Sequence, residues 1–319
     1  MKRALITGIT GQDGSYLAER LLAEGTAVFG LVRRGSTDGL QRIAHLTEDV
    51  TLLDGDLLDA GSLLRAVEES QPSEVYNLAA QSFVGRSWRE PVHTAEVTGL
   101  GALRMLEAVR FAAPDAHVYQ ASTSEMYGGT KGRVTASGPF HPRSPYGSAK
   151  LFAHASAVNY RESYDMHVSC GILFNHESPR RGGEFVTKKV ARSAARIKAG
   201  LDQTLALGNL DARRDWGWAP DFVDAMVSMV RAEHPEDYVI GTGVSHSVRD
   251  LCEAAFRAVG LEWQEHVVVD QGLLRPADVD VLVGDYSRVE EALGWRPTVT
   301  FDEMVSRMVQ HEVAVLRGA

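Results

Sequence analysis

Short apolar runs alternate with longer amphipathic segments along the chain. Ala4-Leu5-Ile6-Thr7, Ala27 to Val32, Val50 to Leu57, Glu74 to Ala80 and Val118 to Ala121 read as strands, while Ser15 to Leu22, Ala60 to Ser70 and Thr98 to Ala112 carry apolar residues at helical spacing. Strand and helix taking turns in this way predict an α/β chain built on a parallel, doubly wound sheet. Farther along, Trp216 to Thr242 reads as a helix and a strand that return to the first domain, ending in Tyr238-Val239-Ile240-Gly241. Val248–Val259 and Ser287–Leu293 predict small helices, and Phe301–Val315 an amphipathic closing helix. No repeat, low-complexity tract or linker interrupts the pattern.

The turn after the first strand is Gly8-Ile9-Thr10-Gly11-Gln12-Asp13-Gly14, and a helix follows it. Glycines there permit a tight turn and let backbone N–H groups approach a pyrophosphate, to which the helix N-terminus adds partial positive charge. With a second strand at the distance a βαβ unit requires, the expectation is dinucleotide binding. At the end of that second strand an acidic residue would hold the ribose hydroxyls of NAD, whereas this chain has Arg33-Arg34-Gly35-Ser36. Two guanidinium groups and a hydroxyl suit the 2′-phosphate of NADP; a solvated basic turn is the alternative. Asp56, closing the third strand, is placed to face the adenine, and the small residues Ala79 and Ala80 leave room for the cofactor to cross the sheet edge.

Composition narrows the function classes. The 319 residues are 44% hydrophobic and 24% charged, enough for a large core or two unequal ones. A net charge of −9 argues against sequence-independent nucleic-acid binding. Cys170 and Cys252 are too few and too far apart for a disulfide framework or a metal site. No span approaches a membrane helix, and the N-terminus runs directly into a strand, so the expected compartment is the cytoplasm.

Candidate chemistry gathers between Ala121 and Lys150. The end of the fifth strand presents Thr123 and Glu125 together. Tyr146 and Lys150 stand four apart at the start of a predicted helix, on one face, where an ammonium can stabilise a phenolate and make Tyr146 a base. Taken alone, such a pair also fits a solvated helix face.

Longer motifs decide between these readings: Gly8 to Gly14, Tyr76-Asn-Leu-Ala-Ala-Gln-Ser82, Tyr119 to Glu125, Pro142 to Gly147, Gly171-Ile-Leu-Phe-Asn-His-Glu-Ser-Pro179, Gly208 to Asp211 with Arg214-Asp-Trp-Gly217, and Arg275 to Asp280. Through them the chain resembles, nearly end to end, the extended short-chain dehydrogenase/reductases and, within that superfamily, the GDP-mannose 4,6-dehydratases. The resemblance implies a Rossmann-type sheet with a smaller, interleaved C-terminal α/β domain. Residues 1–172 plus about 212–245 would bind NADP, and about 173–211 plus 246–319 the nucleotide sugar. It extends the cofactor contacts to Thr10, Gln12, Asp13, Leu57, Leu78, Gln81, Ser82, His176 and Arg181, and sets Asn175, Lys189, Arg214, Arg275 and Asp278 around the GDP, with Ser82 near the sugar. It also implies a homotetramer, a dimer of dimers. The segments 98–103 and 151–155 would form the helical contact, and the loop from Arg34 to Arg42, with few apolar residues to hold it, would be ordered by the second interface.

A 4,6-dehydration removes hydride from C4 of the hexose, eliminates water across C5–C6 and returns the hydride to C6. Tyr146 suits the C4 hydroxyl, Lys150 the phenolate and the nicotinamide ribose, Thr123 the C4 oxygen, and Glu125 the acid/base work at C5 and C6. Related dehydratases acting on dTDP-glucose carry Asp-Glu where this chain has Ser124-Glu125, so here one carboxylate does both jobs. A nucleotide-sugar 4-reductase or epimerase would leave Glu125 unexplained, and a dinucleotide-binding sensor would have no use for Thr123, Tyr146 and Lys150. A dehydratase of another nucleotide sugar also stays open, because residues 128–140 depart from the family: the stretch is basic, flexible and without a carboxylate. His93 likewise replaces a tyrosine found in some relatives near the cofactor.

Overall fold

A computed structural model describes residues 2–33, 37–273 and 281–318. Its strands are β1 (Arg3–Thr7), β2 (Ala27–Val32), β3 (Val50–Asp54), β4 (Glu74–Asn77), β5 (His117–Thr123), β6 (Gly132–Val134), β7 (Val168–Leu173), β8 (Asn175–Glu177), β9 (Leu205–Leu207), β10 (Arg213–Trp218), β11 (Asp237–Ile240), β12 (Ser245–Ser247), β13 (Val267–Val269) and β14 (Leu282–Gly284). Its helices are α1 (Gln12–Leu22), α2 (Ala60–Ser70), α3 (Val84–Ser87), α4 (Pro91–Thr94), α5 (Gly101–Ala112), α6 (Pro145–Tyr164), α7 (Val186–Lys198), α8 (Ala219–Val230), α9 (Val248–Arg257), α10 (Ser287–Leu293) and α11 (Phe301–Arg317). No helix among the described residues is long and apolar enough to cross a membrane.

A seven-stranded sheet runs β11-β7-β5-β4-β1-β2-β3, and every pairing in it is parallel. The strand order reverses between β1 and β4, which opens a crevice at the carboxyl ends of the strands. One face is sealed by α1 and α8, through Leu17, Leu21, Phe222 and Met226; the other by α2, α5 and α6, through Leu63, Val67, Leu106 and Tyr160. The α/β, Rossmann-type expectation holds.

The smaller layer is a sheet in the order β12-β10-β8, covered by α7, α9 and α11 around Trp216, Phe256 and Met308. Here the predicted division needs correcting. β10 pairs with β8 and β12, so the return to the large sheet begins at α8 and not near residue 212. Asp215 and Trp216 of the Arg-Asp-Trp-Gly run are structural: the buried Asp215 carboxylate accepts from Thr242 N and Oγ1, Gly243 N and Gly284 N at 2.7–3.2 Å. The stretch 128–140, expected to be flexible, contains β6, which pairs in parallel with β14. The Tyr127 hydroxyl donates to Thr135 O at 2.6 Å and closes this excursion.

The segment after β2 also departs from expectation. Arg34 and Ser36 lie outside the described residues, but the 3₁₀ helix Thr37–Leu46 is anchored within the chain by the buried side chains of Ile43 and Leu46. Arg42 fastens it further, donating to Arg180 O at 2.8 Å and Thr10 O at 3.3 Å.

At the amino ends of β5 and β7, His117 and His167 stack at 3.7 Å with a 6° tilt. His167 Nε2 is buried without a hydrogen-bond partner. Burial, and then the charges of His117 and His234, hold His167 at about 4, below the ordinary 6.5. The folded chain therefore resists a proton that the unfolded chain accepts, and stability falls as pH drops from about 6.5 toward 4. Urea denaturation at pH 7.5 and pH 5 should show His167→Phe, which keeps the stack, losing less stability on acidification than the parent, by roughly 1–2 kcal/mol.

Candidate active site

The crevice opens into a cleft of about 820 Å³ between the strand ends and the β8–α7 segment. Its first wall is the glycine turn. Gly8 has φ +74°, and a Cβ there would stand 2.9 Å from Ala79 N; on Gly14 it would stand 2.3 Å from Gly8 O. Backbone of β1, β4 and α1 thus meets with no side chain between, and the first amides of α1 face the cleft. Such a cradle fits a dinucleotide.

Asp13, in the first turn of α1, would repel a pyrophosphate if it stood alone. Its Oδ2 is 2.9 Å from His176 Nε2, while His176 Nδ1 is 2.7 Å from Phe174 O and its ring stacks on Phe222 at 4.6 Å. Burial opposes the Asp13 charge, but the charge and hydrogen bond of His176 hold it at about 2. Burial likewise works against a protonated His176, and Asp13 raises it. Gln12 completes the joint: its amide donates to His176 O at 3.0 Å and accepts from the Ser178 hydroxyl at 2.8 Å.

A buried polar chain runs beneath the end of β5. Ala79 N donates to Thr7 Oγ1 at 3.1 Å, Thr7 to Asn77 Oδ1 at 2.7 Å, Asn77 Nδ2 to Gln120 Oε1 at 2.8 Å, and Gln120 Nε2 to Ala121 O at 3.2 Å. Lys150 Nζ ends on the same Ala121 oxygen at 2.7 Å. Ser144 caps α6, accepting from Gly147 N at 3.0 Å, with Pro145 in the first turn. Four residues beyond Lys150, His154 Nδ1 meets the Ser122 hydroxyl at 3.0 Å and ties α6 to β5 again.

Thr123 ends β5, and Glu125 sits in the 3₁₀ turn Ser124–Met126 that follows, so both reach the cleft with Tyr146 and Lys150. Burial and then the Glu125 charge push the Tyr146 phenol above its ordinary range, and Thr123 draws it part of the way back. This differs from the expectation that Lys150 lowers it. The ammonium is engaged by Ala121 O, 5.9 Å from the Tyr146 ring centroid, and burial lowers Lys150 itself to about 8 against the pull of Asp13.

Gly8, Thr10, Gly11, Gln12, Asp13, Gly14, Arg33, Asp56, Leu57, Leu78, Ala79, Ala80, Gln81, Ser82, Asn175, His176 and Arg181 also line the cleft. Lys189 and Arg214 do not: Lys189 Nζ donates to Ala206 O at 2.7 Å, and Arg214 Nη1 to Arg213 O at 2.7 Å. Arg34, Ser36, Arg275 and Asp278 lie outside the described residues. Sequence reasoning missed Phe83, Arg86, Glu184 and Phe185, which line the cleft beside the expected set. Phe83 and Phe185 meet edge to face at 5.7 Å across the two layers, and Arg181 covers Phe185 at 3.5 Å. The one available signal was adjacency, since Phe83 follows Ser82 and Glu184 and Phe185 follow the Asn-His-Glu-Ser-Pro run.

The sequence profile described as GDP-mannose 4,6 dehydratase matches residues 5–308. The chain belongs to the GDP-mannose 4,6-dehydratase family. It is 49% identical over 328 residues to GDP-mannose 4,6 dehydratase 1 of Arabidopsis thaliana, covering 99% of this chain and 91% of that one. With the human GDP-mannose 4,6 dehydratase it shares 46% over 342 residues, covering 98% and 92%. Among solved structures, UDP-glucose 4-epimerase of Thermus thermophilus in complex with NAD superposes with a TM-score of 0.85 at 29% identity, covering 99% of both chains. This chain and that epimerase thus share one architecture.

Proposed function

We propose that the chain converts GDP-mannose to GDP-4-keto-6-deoxymannose with NADP. The observation that carries this reading is the Glu125 carboxylate in the same cleft as Thr123, Tyr146 and Lys150. The cofactor, when bound, supplies the hydride acceptor for C4 and returns the hydride to C6. Tyr146 takes the C4 hydroxyl proton, and Thr123 donates a hydrogen bond to the C4 oxygen. Lys150, anchored on Ala121 O, is set to hold the nicotinamide ribose. Once C4 is a ketone the C5 proton is acidic; Glu125 removes it and delivers it to the C6 hydroxyl, which leaves as water. Final protonation at C5 restores the count, for the proton taken from the C4 hydroxyl is the one C5 regains.

Support for NADP comes from Arg33, which lines the cleft at the end of β2. We place the nucleotide diphosphate toward Asn175, where a mannose at the catalytic four would lead it, with Lys189, Arg214, Arg275 and Asp278 contributing beyond the cleft. Both cysteines are free and buried, as suits the cytoplasm. For assembly we propose the dimer of dimers. Leu100, Phe111, Phe152 and Tyr164 are exposed on α5, α6 and the turn before α5, an apolar face for a second copy. Thr98, Gly99, Ala102, Ala153 and His154 are buried within the chain, so the proposed contact uses the outward residues.

Incubation with GDP-mannose should yield a keto sugar with no net change in nicotinamide absorbance. Glu125→Gln keeps the shape and loses the base, so C5 hydrogen exchange and product should fall together by roughly 10²-fold or more; exchange at the parental rate would remove Glu125 from the mechanism.

Arg33→Ala should weaken NADP by roughly tenfold or more while NAD changes little, as binding titrations of both would show. Equal losses would make Arg33 a surface residue only.

Light scattering at micromolar concentration should give a tetramer. A monomer with and without NADP would sink the assembly, and a persistent dimer would confine the error to the second interface.

A further inference from the structure

Glu184 has no part in the mechanism above, yet it lines the cleft beside Arg181, Phe185 and Asn175. Its carboxylate lies over the bare face of Gly182: a Cβ there would come within 2.5 Å of Glu184 Oε2 and 2.8 Å of Oε1. Gly182 has no positive φ, and the exposed Glu184 side chain rests on its bare face. Among the described residues Glu184 makes no hydrogen bond or ion pair. Asp13, by contrast, is held by His176, and Asp56 accepts from Leu58 N at 2.9 Å.

A free carboxylate is a liability in a cleft that must accept a diphosphate, because like charges at close range cost binding energy. It becomes an asset where the ligand brings neutral donors. The proposed reaction fixes which part of the ligand that is. C4 must meet Tyr146 and Thr123, C5 and C6 must meet Glu125, and C1 carries the diphosphate away toward Asn175. The edge of the ring left over is C2–C3; the segments left to meet it are Ser82 to Arg86 and Arg181 to Phe185, and of these the second supplies a carboxylate. Resting on that reading, we propose that Glu184 is the specificity-determining residue for the hexose, its carboxylate accepting hydrogen bonds from the vicinal C2 and C3 hydroxyls. Two acceptor oxygens match the two hydroxyls, and hydrogen bonds to a charged acceptor are the stronger kind.

The test is calorimetric titration of GDP-mannose and of GDP into the NADP-loaded chain carrying Tyr146→Phe, so that bound sugar is not consumed, with and without Glu184→Ala or Glu184→Gln. The expected result is a loss of roughly tenfold or more in GDP-mannose affinity with GDP held within about twofold, or tightened as a like charge departs. An equal loss for both ligands, or unchanged GDP-mannose affinity, overturns the proposal. Turnover of GDP-mannose by the unsubstituted chain is measured separately, so a failure of the dehydratase reading is told apart from a failure of this one.

Discussion

The oxygen of Ala121 is the point on which the site depends. It receives the Lys150 ammonium from α6 and the Gln120 amide from within β5, and through Gln120 it is joined to Asn77, Thr7 and Ala79. Strands β1, β4 and β5 and helix α6 are thereby held in one hydrogen-bonded chain just beneath Thr123, Glu125 and Tyr146. Each of these donors has an acceptor, which is what makes a buried polar network stabilising rather than costly. Main-chain pairing alone fixes strand spacing; this chain of side chains also fixes where the glycine turn stands relative to Tyr146.

Charge balance is the second constraint. The cleft gathers the cations Arg33, Arg86, Arg181 and Lys150 and the carboxylates Asp13, Asp56, Glu125 and Glu184. Asp13 is offset by His176, and Arg86 by Glu90 at 2.9 Å. The phenol of Tyr146 sits high because the protein around it is dry and Glu125 is near, so its activation requires positive charge to approach.

Much of this was legible in the sequence because it is local. The apolar runs of β1, β2 and β4, the glycine turn and the Tyr146–Lys150 spacing each lie within a few residues, and the structure keeps them together. What was not legible is what depends on distant partners. β6 exists because β14, far along the chain, lies beside it; a basic, carboxylate-free stretch carries no mark of that pairing. Arg214 and Trp216 sit in one motif, but only the fold shows that Asp215 between them anchors distant loops. Ile43 and Leu46 are two apolar residues in a polar segment, too few for a periodic signal yet enough to bury one face. The aromatic contact of Phe83 with Phe185 spans both layers, so neither residue signals it alone.

The joint between α1 and β8 has a wider meaning. Gln12 and Asp13 belong to the glycine turn at one wall of the cleft, while His176 and Ser178 belong to the segment that brings Asn175 to the other. Separating α1 from β8 would break an ion pair and two buried hydrogen bonds, which bolt these two walls of the cleft together. A dehydrogenase that must exchange its nicotinamide every cycle would be slowed by such a bolt. An enzyme whose nicotinamide is restored within each turnover loses nothing by it, and keeps its cofactor as a resident part.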